Sequence, residues 1–340
     1  MRRMIQVLTL FLLLLLSTIN CGHKKTNEQL VKEMFENKND VTILVTDSGL
    51  GGLSVAADVA SRLKDSGVFR NAKIVFFNAL FHNKSGYNSL DSESEKVRIF
   101  DIALKSMKKK YDPDLLLIAC NTLSVLYDKT DFSKKVDFPV IGIVKTGVDL
   151  MDEYFKSHPD HSVIIFATKT TIGAETHKKM LIKRGYAPEK IIGQACHRLA
   201  GAIERGTDSE ETKGYIEKYV KKALTHVKAE TPLFASLNCT HYGYAIDVFQ
   251  EVFAENDYPG IHIIDPNPRM SDFMFQKPYL HRNDSTKVTV EVVSRVKISQ
   301  KKKDSLDGLL RAVSPMTADA LQSYTFDPDL FDPKFDLPGK

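Results

Sequence analysis

Short, continuously apolar runs recur along this chain. They alternate with longer stretches in which apolar residues return every three or four positions. The runs at 41–46, 73–77, 114–119, 139–144, 162–167, 190–193, 231–237 and 261–264 carry no helical period, so they read as buried strands. Segments 93–110 and 210–227 are amphipathic and read as helices. Strand and helix in alternation predict βαβ units and parallel sheets. The expected fold is α/β, with two pseudo-symmetric domains, each a parallel sheet flanked by helices, and an active site in the cleft between them. The first domain is expected over 41–142, taking back 241–275, and the second over 143–240. Residues 276–340 are read as a C-terminal extension. Within it, 287–299 alternates β-branched and charged residues like an edge strand or hairpin arm, and Asp327-Pro, Asp332-Pro and Leu337-Pro mark an irregular end. No chemistry is expected there; the extension should pack on the first domain or meet a partner.

The N-terminus breaks this pattern. Arg2 and Arg3 precede an apolar core over 7–16, interrupted only by Thr9. The core is too short for a comfortable membrane span and fits an export signal over 1–20. Cys21 follows at once and resembles a bacterial lipoprotein processing site, although Asn20 stands where Gly, Ala or Ser is usual. Lipidation of Cys21 is the expectation; ordinary signal cleavage and an uncleaved anchor are the alternatives. Residues 21–40 read as a tether. The expected location is exported and membrane-anchored, on the periplasmic face.

The composition is that of a globular protein, 43% hydrophobic and 26% charged, and 340 residues suit two domains. A net charge of +4 does not point to nucleic acid, and the runs at Lys108 and Lys301 read as solvated faces. Four cysteines less Cys21 leave Cys120, Cys196 and Cys239, an odd number that argues against a disulfide framework.

Two of these cysteines occupy matched positions. Ile118-Ala-Cys-Asn-Thr122 and Leu237-Asn-Cys-Thr-His241 each end an apolar run with a polar turn that contains threonine. Ligands of open parallel sheets bind just beyond the carboxyl ends of strands. A free cysteine is usually a small buried hydrophobe. Two in equivalent strand-turn contexts suggest one thiol removing a proton and another delivering one to the opposite face of a small molecule. A free thiol titrates near about 8.5, close enough to neutrality for both tasks. Backbone N–H groups after Asn121 and Thr240 are expected to offset charge built on the substrate. Cys239 and His241 are two potential metal ligands, but no zinc-type spacing completes a set, so no metal is expected. His82, His197 and His226 read as surface or packing residues, and Cys196 as packing.

A third segment, Thr46-Asp-Ser-Gly-Leu-Gly-Gly-Leu-Ser54, follows the first strand. Its glycines permit a tight turn and close backbone approach. A helix beginning near Leu53 would direct free N–H groups at an anion. The spacing fits neither the dinucleotide fingerprint nor the P-loop. Asp47 and Ser48 read either as turn formers or as site residues.

Taken together, these segments resemble the cofactor-independent aspartate/glutamate racemase superfamily, glutamate racemase above all, over about 41–270. Asp47-Ser-Gly-Leu-Gly-Gly-Leu-Ser54 is similar to the opening motif. Ala119-Cys-Asn-Thr122 and Cys239-Thr-His241-Tyr242 are similar to the two catalytic turns. Gln194-Ala-Cys196 through Ile203-Glu204-x-Gly206 is similar to the segment that carries a catalytic-site glutamate. The resemblance implies that Cys120 and Cys239 are the acid/base thiols, with Asp47 assisting Cys120, and with Glu204 and His241 assisting Cys239. It implies that Ser48, Asn121, Thr122 and Thr240 hold the substrate's carboxylate and ammonium groups. Thr168 and Thr171 line the site from a strand end, and Gly86 lies in a loop beside the substrate. No cofactor is implied.

That loop departs from the family pattern. Where glutamate racemases carry Gly-Asp-Thr and then Pro-Tyr-Gly, this chain retains Gly86 but has Lys84-Ser85 for the Pro-Tyr pair and Ala79 for the acid. The departure predicts a substrate other than free glutamate. The leading expectation is an amino-acid racemase using two thiols. The alternatives are the same scaffold acting on another acid (aspartate, hydantoin or malonate type) and an amino-acid-binding lipoprotein without catalysis. Expected partners are a small amino acid or related acid, a lipid anchor and a second copy in a homodimer.

Overall fold

The computed structural model describes residues 25–83, 85–228 and 231–334. Cys21, the export signal and Lys84 lie outside the described residues. Two parallel sheets form the framework. The first has strand order β10-β9-β2-β1-β3-β4, built from β1 (Asp40–Asp47), β2 (Asn71–Asn78), β3 (Leu115–Ile118), β4 (Val140–Gly142), β9 (Lys287–Ser294) and β10 (Thr325–Phe326). The second has the order β6-β5-β7-β8, from β5 (Ser162–Ala167), β6 (Ile191–Ala195), β7 (Leu233–Asn238) and β8 (His262–Ile264).

Continuous apolarity has its usual cause here. Every residue of β3, β5 and β7 is buried, because helices cover both faces of each sheet. Along β1 the period of two sorts the side chains: Ile43 and Val45 join one core cluster, and Leu44 joins the other. Each sheet also contains a switch point, where the chain leaves a strand for one neighbour and later returns to its other side. In the first sheet it lies between β1 and β3, and in the second between β5 and β7. Thr46 is in register with Ile118, so Asp47 and Cys120 emerge at one crevice. Ala167 is in register with Asn238, which sets Thr168 beside Cys239.

The structure corrects three expectations. Segment 241–275 does not all return to the first domain: β8 pairs with β7 in the second sheet. The return begins after it, where Arg62 of helix Leu53–Ser66 reaches the side chain of Asp272. Residues 21–40 are not simply a tether. Helix Asn27–Asn37 starts at a Thr26–Gln29 capping box, buries Met34 and Phe35, and stacks Phe35 on Tyr279 at 4.1 Å. Asn27 also bonds both backbone groups of Val140, closing the edge of β4. Segment 287–299 is neither an edge nor a hairpin arm. Its strand, β9, runs parallel to β2 with β10 outside it. The alternating pattern correctly signalled a strand; its neighbours were set by distant sequence. Among the described residues no helix is long and apolar enough to cross a membrane.

Candidate functional site

The carboxyl ends of β1, β3, β5, β6 and β7 meet around one cavity of about 280 Å³. Cys120 and Cys239 both line it, one from each sheet, together with Asp47, Ser48, Gly86, Asn121, Thr122, Thr168, Glu204, Thr240 and His241. Both thiols are free and buried. Thr171 is the one expected substrate ligand that stands behind this wall. Its hydroxyl meets those of Thr168 at 3.0 Å and Thr122 at 3.4 Å, so it orients them from the adjacent cleft.

Around Cys120 the neighbours are hydroxyl and carboxyl groups. Ser48 Oγ lies 3.1 Å from its Sγ. Burial, reinforced by the Asp47 carboxylate, pushes the Cys120 thiol far above its ordinary range, and the Ser48 bond only partly opposes this. Asp47 is itself fully buried. Burial raises it, while the His241 charge and a 2.6 Å bond from Thr240 Oγ1 pull it down; the net effect is upward. Asn121 Oδ1 accepts from buried His177 Nε2 at 3.2 Å, and its Nδ2 is buried without a partner. Burial drops His177 to about 4, so the neutral imidazole donates its Nε2–H to Asn121 Oδ1.

Around Cys239 the neighbours form a charged chain. His241 Nδ1 is 3.8 Å from Cys239 Sγ, and its Nε2 is 2.7 Å from Glu204 Oε1. Burial alone would lower His241, but its bonds to Cys239 and Glu204 raise it well above the ordinary imidazole value. Burial alone would raise Glu204, but the His241 bond and charge and the Lys302 ammonium hold it far below the usual carboxylate range. Glu204 comes from helix Leu199–Arg205, which follows β6.

The glycine-rich turn has a role that its sequence did not disclose. Its N–H groups meet the protein's own side chains: Gly49 N–H donates to Asp47 Oδ1 at 3.1 Å, Leu50 N–H to Glu204 Oε1 at 3.0 Å, and Gly51 N–H to His241 Nε2 at 3.1 Å. At Gly51 a Cβ would stand 2.3 Å from Thr240 Oγ1 and 2.7 Å from the His241 backbone nitrogen. Glycine is needed here because two turns from different sheets are pressed together.

Several site residues escaped the sequence reading. Tyr87, fully buried, lines the cavity with its hydroxyl unpartnered. It follows Gly86 directly, and the altered loop was a signal that could have led to it. Arg198 lies exposed at the cavity mouth with Lys169 and with His197, whose expected surface position the structure shows. Cys196 is 3% exposed and joins the second domain's core, while also touching the cavity wall. Lys302, in the extension thought free of chemistry, bonds Glu204 at 2.5 Å. Among the described residues, no three His, Cys, Asp or Glu side chains are placed to hold a metal.

No family model matches the chain. Curated relatives do. It is 27% identical over 216 residues to a glutamate racemase of Clostridium perfringens, covering 62% of this chain and 74% of that one. It is 29% identical over 231 residues to a glutamate racemase of Syntrophus aciditrophicus, covering 67% and 76%. Among solved structures, glutamate racemase from Campylobacter jejuni superposes with a TM-score of 0.62 at 23% identity, over 79% of this chain and 98% of that one. The Francisella tularensis enzyme in complex with D-glutamate gives 0.62 at 20%, over 81% and 95%. These structural likenesses establish the fold.

Proposed function

With the chain a homologue of glutamate racemases that shares their two-domain fold, we infer that it is an amino-acid racemase, an isomerase in which Cys120 and Cys239 exchange the α-proton of one bound acid. The observation that carries this reading is the meeting of two buried thiols, from the ends of β3 and β7, at one cavity.

The reaction needs a base on one face of the α-carbon and an acid on the other. One thiolate takes the α-hydrogen as a proton. The C–H electron pair spreads into the substrate carboxylate, and the opposite thiol returns a proton from the other face. The two sulfurs end in exchanged protonation states. When Cys239 is the thiolate it faces the His241 imidazolium, which Glu204 keeps charged. Cys120, pushed up by burial, is suited to begin as the acid. The unpartnered Nδ2 of Asn121 and the hydroxyls of Thr122 and Thr168 offer donors for the carboxylate whose charge grows. Because the carboxylate takes up the electron pair, this route invokes no electron-sink cofactor.

Arg198 and Lys169 at the mouth favour a substrate with a second acidic group. The changed loop before Gly86 leads us to place the best substrate among acids other than free glutamate, such as aspartate or N-substituted analogues. The test is an NMR screen in D2O with reduced protein and no added cofactor. Loss of an α-proton signal, with accumulation of the other enantiomer, is expected. A protein that binds an amino acid without exchanging its α-proton would be a binding protein instead, and a clear preference for free glutamate would overturn the substrate choice. We further propose export and lipidation at Cys21, on the apolar core that precedes it. Intact mass of membrane-extracted protein tests this, since an unmodified Cys21 or cleavage elsewhere excludes it.

A further inference from the structure

The C-terminal extension lies outside every motif that signalled the site, yet it reaches the site. Helix Gln300–Val313 buries Leu306 and Leu310 and packs against helix Leu53–Ser66 of the first domain and helix Leu199–Arg205 of the second. It therefore lies across the seam on which the two thiol turns meet. From its first turn Lys302 extends Nζ to 2.5 Å from Glu204 Oε2. The other oxygen of that carboxylate takes His241 Nε2 at 2.7 Å and Leu50 N–H at 3.0 Å. Glu204 is thus held on both oxygens, and His241 in turn faces Cys239.

Resting on the racemase reading, we propose that Lys302 is a positioning residue for the Cys239 half of the site, fixing the charge and the orientation of Glu204 and, through it, of His241. Other groups face this pair, and none takes the same place. Asp47 and Cys239 approach from inside the cavity. Arg205, next along the Glu204 helix, is taken by Glu211 at 2.6 Å, and Lys301 also acts on Glu211. Lys302 is itself only 33% exposed in its side chain, against 8% for Glu204, so water screens this ion pair less than a surface one. Its effect on His241 has a definite sign. A cation near Glu204 offsets part of the field that the carboxylate exerts on the imidazole. Removing the cation lets His241 hold its proton to higher pH.

The experiment compares K302M and K302R with the full wild-type chain by two readouts. The first is the titration of the His241 ring followed by 15N NMR, which requires no substrate. K302M should raise its midpoint by at least about half a unit, the scale of one charge several ångströms away even at the permittivity of water, while K302R stays near wild type. The second is kcat/KM against pH in both directions. K302M should lose about tenfold, equally in the two directions because the enantiomers are equal in energy, with the basic limb displaced to higher pH. K302R should restore both. An unmoved midpoint in K302M, or a slower enzyme with an undisplaced profile, overturns the proposal, as does a K302R displaced as far as K302M. A wild type that racemises nothing refutes the racemase reading instead, and the NMR titration still judges the link from Lys302 to His241.

Discussion

The two thiol turns are built by the same device and finished differently. Each follows a fully buried parallel strand beside a switch point, and each places a cysteine at the first residues beyond the sheet. Cys120 then meets a serine hydroxyl and, behind it, a buried carboxyl group. Cys239 meets a histidine, a glutamate and a lysine in sequence, the last from a segment 98 residues away from Glu204. Strand and turn set where a thiol stands. The chain that later folds over the turn decides which proton state surrounds it. A racemase needs the two thiols to be equivalent in reach, since the proton leaves one face of the α-carbon and returns to the other, but their supports need not match.

The harshest way to break the comparison is to remove each sulfur. C120A and C239A should each lower racemisation at least about a thousandfold, as expected for loss of an acid or base, read by circular dichroism of the substrate. A variant that keeps full activity would show that one thiol suffices. Neutralising the supports comes next. E204Q should cost about a hundredfold, with the basic limb of kcat/KM moving to lower pH as His241 loses its anionic partner. Glu204 sits below its ordinary value when folded, so it stabilises the protein above about pH 4.3, and that contribution is lost as pH falls through the folded value. E204Q should lack this part of the acid-induced loss of stability in urea titrations. D47N should cost less, about tenfold, and should act on the other thiol. Without the carboxylate, the alkylation midpoint of Cys120 falls, though burial keeps it above that of a free thiol.

Two milder changes sharpen the picture. G51A forces a Cβ against Thr240 and His241 and should destabilise by about 1–3 kcal/mol, measured as a lower urea midpoint, because it pushes the two turns apart. R198L should raise KM for the best acidic substrate roughly twofold to fivefold, the scale of an exposed ion pair, with kcat little changed. A tighter KM in R198L would remove Arg198 from substrate recognition.

The sequence by itself determined the strands, their burial and the two cysteine turns that the fold brings to one cavity. Periodicity records whether a local segment is covered on one face or two, and that is decided residue by residue along the element. It also marked both cysteine turns, because a polar turn at the end of an apolar run is a local event. What only the tertiary structure decided were contacts between segments remote in sequence: Leu50 with Glu204, Thr240 with Asp47, and Lys302 with Glu204. The allocation of β8 to the second sheet and of β9 and β10 to the first belongs to the same class. A lysine in an amphipathic helix carries no local sign of the carboxylate it will meet, because the meeting depends on how two domains and a returning tail dock. Direct contact across that dock, on this reading, holds the Glu204 carboxylate in place beside the histidine that faces the second thiol.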